Sequence, residues 1–293
     1  MRCGLLRERA PLRFVFIDAE KAHYPIRILC HALKVSRAGY YAWRRRPPSI
    51  RTQQDLRLAV MIRAAHERSR KTYGSPRVHA ELHAQGIAIS GKHVARRARV
   101  RKRYGCTTMS DHDQPVAANL LDRRFEAERP NQRWVGDVTE ILTGGGKLYL
   151  AVILDLFSRM VVGWALSAAN DRHLALRALE QALRRRCPEA GLLHHTDQGS
   201  PYASEDYQRV LAAHGITCSM SRRGHAHDNA AMESWFSTMT FELGDRFESN
   251  AEAKVKLFDY IEVFYNQERR HSTLGYLNPA QFERAARMEQ AAA

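Results

Sequence analysis

Residues 191–202 read GLLHHTDQGSPY and residues 216–240 read ITCSMSRRGHAHDNAAMESWFSTMT. Leu192 and Leu193 form a short apolar run that ends at the polar HTDQGS turn. The pattern predicts a buried strand with Asp197 at its carboxyl end, where open α/β sheets place their sites. Downstream, Asp228 and Asn229 are good N-cap residues, and Met232, Trp235, Phe236, Met239 and Leu243 recur at helical spacing. Glu233, separated from Asp197 by 35 residues, therefore falls in the first turn of an amphipathic helix. Further upstream, Asp137 lies mid-strand in RWVGDVTEI, followed by a glycine hairpin (LTGGGK) and two apolar runs, LYLAVILDLFS and RMVVGWALS. Three carboxylates from separate elements are thus expected to converge, an oxygen donor set that suits hard divalent cations.

The surrounding order is that of an α/β domain: strand, hairpin, strand, a turn at residues 155–159, strand, a helix near 171–186, and the strand that delivers Asp197. A helix near 204–214, a strand near 216–220 and the Glu233 helix complete it. Other acidic residues read differently. Asp155 is expected to form a turn, Asp228 to cap a helix, and Glu140 to face the side of the sheet opposite Asp137. His195 shares a face with Asp197 and is a weak candidate for a supporting or DNA-contacting role, with a structural histidine as the alternative. Residues 251–270 predict one helix, followed by YNQERRHSTLGYLNPAQF, in which Arg269 and Arg270 are further candidates for supporting DNA binding.

Composition points to a polyanionic partner. The chain has 293 residues, a formal charge of +15 and a sequence pI near 10.0, the footprint of a nucleic-acid binder. The charge is uneven: residues 1–110 contain 25 basic and 6 acidic side chains, and residues 111–293 contain 21 and 25. The amino-terminal part is expected to supply much of the affinity and its salt dependence. Within it, residues 24–46 read as two short helices that resemble a helix-turn-helix half, with a charged helical hairpin as the alternative, and Pro47-Pro48 ends them. A second unit, 51–110, is broken at Tyr73-Gly74-Ser75-Pro76 and closes on a very basic helix. There Lys92, Arg96, Arg97, Arg99, Arg101, Lys102 and Arg103 are expected to lie along DNA. Residues 111–130 read as a linker, 131–246 as the catalytic core, and 247–293 as its helical extension.

No run of about 18 apolar residues is present, no secretory leader is expected at the basic start of the chain, and the five cysteines contain no C-x-x-C. A reduced, cytoplasmic chain with no membrane contact and no zinc site is expected.

The motifs W-x-x-D-x-T at Asp137, H-x-D-x-G-x-x-Y at Asp197, D-N-A-x-x-E-S at Glu233 and Y-N-x-x-R-x-H-S-x-L-G-Y-x-x-P at residues 265–279 resemble those of DDE transposases and retroviral integrases. Within that group the chain is most similar to the orf B product of the insertion-sequence-three family, over about residues 14–282. The resemblance implies an α/β fold: a ribonuclease H-like catalytic domain preceded by an all-α helix-turn-helix DNA-binding region. It also implies metal-dependent cleavage and strand transfer at insertion-sequence ends in a bacterial, nucleoid-associated protein. Two Mg2+ ions are implied, with Mn2+ as a substitute, Asp137 bridging them and Asp197 and Glu233 each completing one. The implied partners are DNA, further copies of the chain on it, and a small upstream subunit, the orf A product. One departure stands out. The family usually carries Lys or Arg seven residues after the glutamate, where this sequence has Thr240, a cation loss that Arg222 or Arg223 can cover. A catalytically silent DNA-binding regulator and a hydrolytic ribonuclease H-type nuclease are the alternative readings.

Overall fold

A computed structural model describes residues 9–47, 49–91, 94, 116–222 and 226–292. The chain divides into two compact units, Met1–Met61 and Ile62–Ala293.

The first unit contains α1 (Ala10–Glu20), α2 (Ile26–Ala32) and α3 (Arg37–Arg45), and α4 (Ile50–Arg68) carries the chain across the boundary. Ile17, Leu29, Cys30, Leu33 and Tyr40 give this unit its own small core. Pro11, in the first turn of α1, costs no hydrogen bond there. The Ser36 hydroxyl accepts the Gly39 N–H and caps α3.

The second unit begins with the end of α4 and α5 (Ser75–Ala84), then enters a sheet: β1 (Arg133–Thr143), β2 (Gly146–Asp155) and β3 (Val161–Ser167). Next come α6 (Arg172–Arg186), β4 (Leu193–Thr196), α7 (Ser200–Ala203), α8 (Glu205–Ala213) and β5 (Thr217–Met220). A 3-10 turn, Ala226–Asn229, leads into α9 (Ala230–Leu243), β6 (Arg246–Phe247), α10 (Asn250–Phe258) and, after the 265–279 segment, α11 (Pro279–Ala292). The strand order is β3-β2-β1-β4-β5, with β6 paired to β1. The β1–β2–β3 meander is antiparallel, and β4, β5 and β6 join in parallel.

Alternation along β1 sends neighbouring side chains into two cores. Trp134 faces one that α6 and α8 cover, and Val135 faces another that α9 and α10 cover. Close contact of α6 with the sheet depends on Gly163, where a Cβ would overlap the Ala178 carbonyl and Ala182.

Three sequence expectations change here. The core behind Val135 also contains Ile62, Ala65, Tyr73, Val78, Leu82 and Val94, so a compact-unit boundary lies at 61/62, inside α4, and residues 62–94 share apolar packing with the α/β sheet. The segment expected to be a linker is packed where it is described: Leu121 is buried, and the N–H groups of Leu120 and Leu121 both donate to the Ser219 hydroxyl. The helix expected over 251–270 is α-helical only to Phe258 and winds as a π-helix over Asp259–Tyr265. Tyr260, Ile261, Phe264 and Tyr265 are all buried within that wider winding, which propensity and periodicity do not distinguish from an ordinary α-helix.

Candidate active site

Register brings the first two carboxylates together. In the parallel β1–β4 pair, Arg133, Trp134 and Val135 sit opposite Leu193, His194 and His195. Continuing that register by two residues sets Asp197, just past the end of β4, beside Asp137 on β1. The Asp137 carboxylate accepts the Val138 N–H at 2.8 Å, and Asp197 accepts the Gly199 N–H at 2.9 Å, which fixes each side chain against its own backbone. Glu233 comes from above: Met232, Trp235 and Met239 bury one face of α9 against the core that Val135 enters, leaving Glu233 exposed in the first turn. Ser237 and Thr240 are exposed on the same helix, as the 3.6-residue stripe predicts.

Electrostatics marks the cluster. Burial pushes the Asp137 carboxyl well above the usual carboxylate range, and repulsion from Asp197 and then Glu233 adds to the rise. Among the described residues, neither Asp137 nor Glu233 has a cation within ion-pair distance. A cation at this end of the sheet would relieve the mutual repulsion, and carboxylate oxygens are the donors that hard divalent ions accept. The donor chemistry therefore fits. The arrangement is open, however: among the described residues no three His, Cys, Asp or Glu side chains form a closed metal-binding group.

Other acidic and basic residues near the site serve different ends. His195 is fully buried, with Nδ1 against the Ser219 hydroxyl and Nε2 against the Ser221 hydroxyl at 2.8 and 3.1 Å. Burial lowers its pKa to about 4. A neutral ring so enclosed bridges β4 to the exit of β5. Asp228 is a correction of another kind. Asn229 occupies the N-cap of α9 without a side-chain cap bond, and the buried Asp228 carboxylate collects Arg222 through its backbone N–H, Nε and Nη2, Arg123 through Nε, and Asn119 through Nδ2. Those contacts, Arg222 first, hold its carboxyl far below the usual range. Arg222 is thus committed to Asp228. Arg223 and the basic run Lys92, Arg96, Arg97, Arg99, Arg101, Lys102 and Arg103 lie outside the described residues.

Asp155 does form the expected turn, accepting the Phe157 N–H, but it is also buried and takes the Asn131 N–H and Arg186 Nη2. Arg269 and Arg270 are also accounted for. Arg269 is buried and donates Nε to both oxygens of Glu242 on α9, while Arg270 pairs with Glu81 at 2.7 Å. The Asn266 amide accepts the Val161 N–H and donates to its carbonyl, closing that stretch of the β3 edge like a short extra strand.

Sequence reasoning did not single out Tyr202 or Glu242. Tyr202, buried in the H-x-D-x-G-x-x-Y motif, stays protonated far above its ordinary range because of burial, then Asp137, Tyr207 and Asp197. The motif's final tyrosine was the available signal. Glu242 gave none, because its partners Arg77, Tyr260 and Arg269 are distant in sequence.

Family models agree with this geometry. An integrase core domain matches residues 127–226, a second integrase core domain model matches 214–279, and an HTH-like domain matches 53–107. Transposase InsF for insertion sequence IS3A from Escherichia coli (strain K12) is 40% identical over 283 residues, 93% of this chain and 98% of its own. A 31 kDa protein of insertion element IS600 from Shigella sonnei is 42% identical over 263 residues, 87% of this chain and 97% of its own. A chain of the simian T-cell lymphotropic virus intasome superposes with a TM-score of 0.45 at 17% identity, covering 75% of this chain and 73% of that one. A helix-turn-helix-like region, a mixed sheet presenting Asp137 and Asp197 at one end, and full-length similarity to InsF lead to one conclusion: the chain belongs to the transposases of the IS3 insertion-sequence family.

Proposed function

We propose that the chain cleaves the DNA ends of an insertion sequence and transfers them to a new site, with Asp137, Asp197 and Glu233 as its metal ligands. The observation that carries this reading is the meeting of Asp137 and Asp197 at the end of a parallel strand pair, under a helix that presents Glu233. Bound Mg2+, two ions with Mn2+ as a substitute, supplies neutralisation of the attacking and leaving oxygens of an in-line phosphoryl displacement.

The chain's own residues prepare that site. Val138 and Gly199 N–H groups fix the Asp137 and Asp197 carboxylates, so little side-chain freedom is lost when a cation binds. Trp235 and Met232 anchor the first turn of α9 and with it Glu233. In the first reaction, water oxygen bonds to phosphorus and the bond to the 3′ oxygen breaks, leaving a 3′-hydroxyl. In the second, that hydroxyl oxygen bonds to a target phosphorus, a target P–O bond breaks, and the number of phosphodiester links is kept.

Residues 51–110, with the basic run from Lys92 to Arg103, supply duplex binding, and the active form is an oligomer on DNA together with a small upstream subunit. The work is done in the bacterial cytoplasm at the nucleoid, in keeping with the lack, among the described residues, of any helix long and apolar enough to cross a membrane. Incubation of the chain and its upstream subunit with end DNA and Mg2+ tests the reading. Nicking at the end and joining of a pre-cleaved end are expected. Nicking without joining would identify a hydrolytic nuclease, and end binding without either would identify a regulator.

A further inference from the structure

The family models that match this chain start at residue 53 and leave most of the first unit, with α1, α2 and α3, without an assignment. Its helices nevertheless have the parts of a DNA reader. α2 and α3 are joined by a four-residue turn, Leu33 to Ser36, in which Lys34 takes a left-handed conformation (φ 52°) and Ser36 caps α3. Gly39 brings α3 close to α1, since a Cβ there would meet the Phe14 ring at 3.3 Å. The Tyr40 hydroxyl donates to Asp18 of α1 at 2.8 Å, so the buried face of α3 is pinned by a polar bond as well as by Leu29 and Leu33.

Among the described residues, nothing packs on the opposite face of α3. Arg37, Ala38, Tyr41, Ala42 and Arg45 are all exposed and recur at i, i+1, i+4, i+5 and i+8, one stripe of the helix. Two alanines between the cations keep the surface low, which suits close approach of the helix to a groove. Neither α2 nor α3 contains an acidic residue. Among the described residues, Arg44 is the one of the three arginines ending α3 and its cap that has an acidic neighbour, Asp18 at 3.8 Å.

We propose that this unit is a second duplex-DNA-binding module, distinct from residues 53–107, and that α3 lies in the major groove with Arg37, Tyr41 and Arg45 toward the DNA. A recognition helix reads bases through its N-terminal residues while its flanks hold phosphates. In that placement Arg37 and Tyr41 face base edges, and Arg45 with the adjoining Arg46 faces the backbone. Charge complementarity selects the occupant: a stripe with two cations, an aromatic hydroxyl and no carboxylate matches a polyanion.

The test uses the full chain without divalent metal, so that its outcome is independent of the proposed chemistry. Binding to a duplex carrying the element's terminal sequence is compared with binding to a scrambled duplex across a salt series. Arg45→Ala with Arg46→Ala should weaken binding to both duplexes about tenfold or more and make the log–log salt slope shallower by about two, roughly 0.9 per phosphate contact. Arg37→Ala should instead lower the ratio between end and scrambled duplex, and Arg37→Lys should restore affinity without restoring that ratio. An unchanged melting temperature in these exposed-site variants shows that the unit remains folded. Variants that keep the parent's slope and end preference would overturn the proposal while leaving the cleavage reading intact.

Discussion

Two carboxylate clusters lie on the same sheet and are built on opposite principles. At the Asp137–Asp197 end, like charges are gathered with Glu233 above them, and Asp137 is driven toward its neutral form by burial and repulsion. At the carboxyl end of β2, buried Asp155 and Glu283 are also close together, but Arg186 lies between them, donating Nη2 to Asp155 and both Nη atoms to Glu283, while Ser158 adds a further donor to Glu283. The second cluster is electrostatically complete and ties α11 to the sheet and α6. The first is held in place at a cost in stability, as functional sites commonly are.

Removing one carboxylate separates the two principles most sharply. Asp137→Asn should abolish end cleavage, a loss of at least about 10^3-fold, which is several kcal/mol of transition-state stabilisation. It should also leave the melting temperature unchanged or raise it, because a disfavoured buried charge is deleted. A lowered melting temperature would show that Asp137 contributes to stability and not only to the site.

The saturated cluster should respond in the reverse sense. Arg186→Met leaves Asp155 and Glu283 buried without their shared cation and should cost about 3–5 kcal/mol in denaturant unfolding. Glu242→Gln should cost somewhat less, since Arg269 keeps an amide acceptor but loses its countercharge. A change under 1 kcal/mol for Arg186→Met would mean that the bridge is no more than a surface pair.

Acid sharpens the contrast further. Burial lowers His194 to about 3, and burial followed by Arg269 pushes His271 well below its ordinary value. Below pH about 6.5 the unfolded chain takes up protons that these rings refuse when folded, so stability should fall steadily from pH 6.5 toward 4. Asp228, depressed by Arg222, extends the loss below pH about 4. His271→Gln should flatten the upper part of the curve, and a variant with the parent's slope there would remove His271 from the account.

The smallest effect concerns Thr240, exposed on α9 with Glu233 and Ser237. Thr240→Lys should tighten binding to end DNA by about 1 kcal/mol, the scale of one charge-assisted hydrogen bond, and raise cleavage without altering the metal requirement. Equality with the parent in filter binding would place this stripe away from the DNA.

The sequence by itself determined most of the local elements and singled out the three carboxylates. Strand alternation, the glycine hairpin and 3.6-residue periodicity are short-range signals, and Asp137, Asp197 and Glu233 each lie in one. The same logic revealed the α2–turn–α3 pattern and the exposed Thr240 stripe. What only the tertiary structure decided were the pairings over long separations: Arg123 on Asp228, Arg269 on Glu242, Arg186 between Asp155 and Glu283, and Ser219 beneath Leu120 and Leu121. A charged residue reads the same in sequence whether it will be solvated, used in chemistry or neutralised in the interior. Its fate is set by the element that packs over it, and tens to more than a hundred intervening residues leave no periodic trace of that partner. The shared packing of residues 62–94 with the α/β sheet was hidden for the same reason: a basic outer face dominates composition, while the few apolar side chains that join the core, Val78 and Leu82 among them, become conspicuous only when their partners are in place.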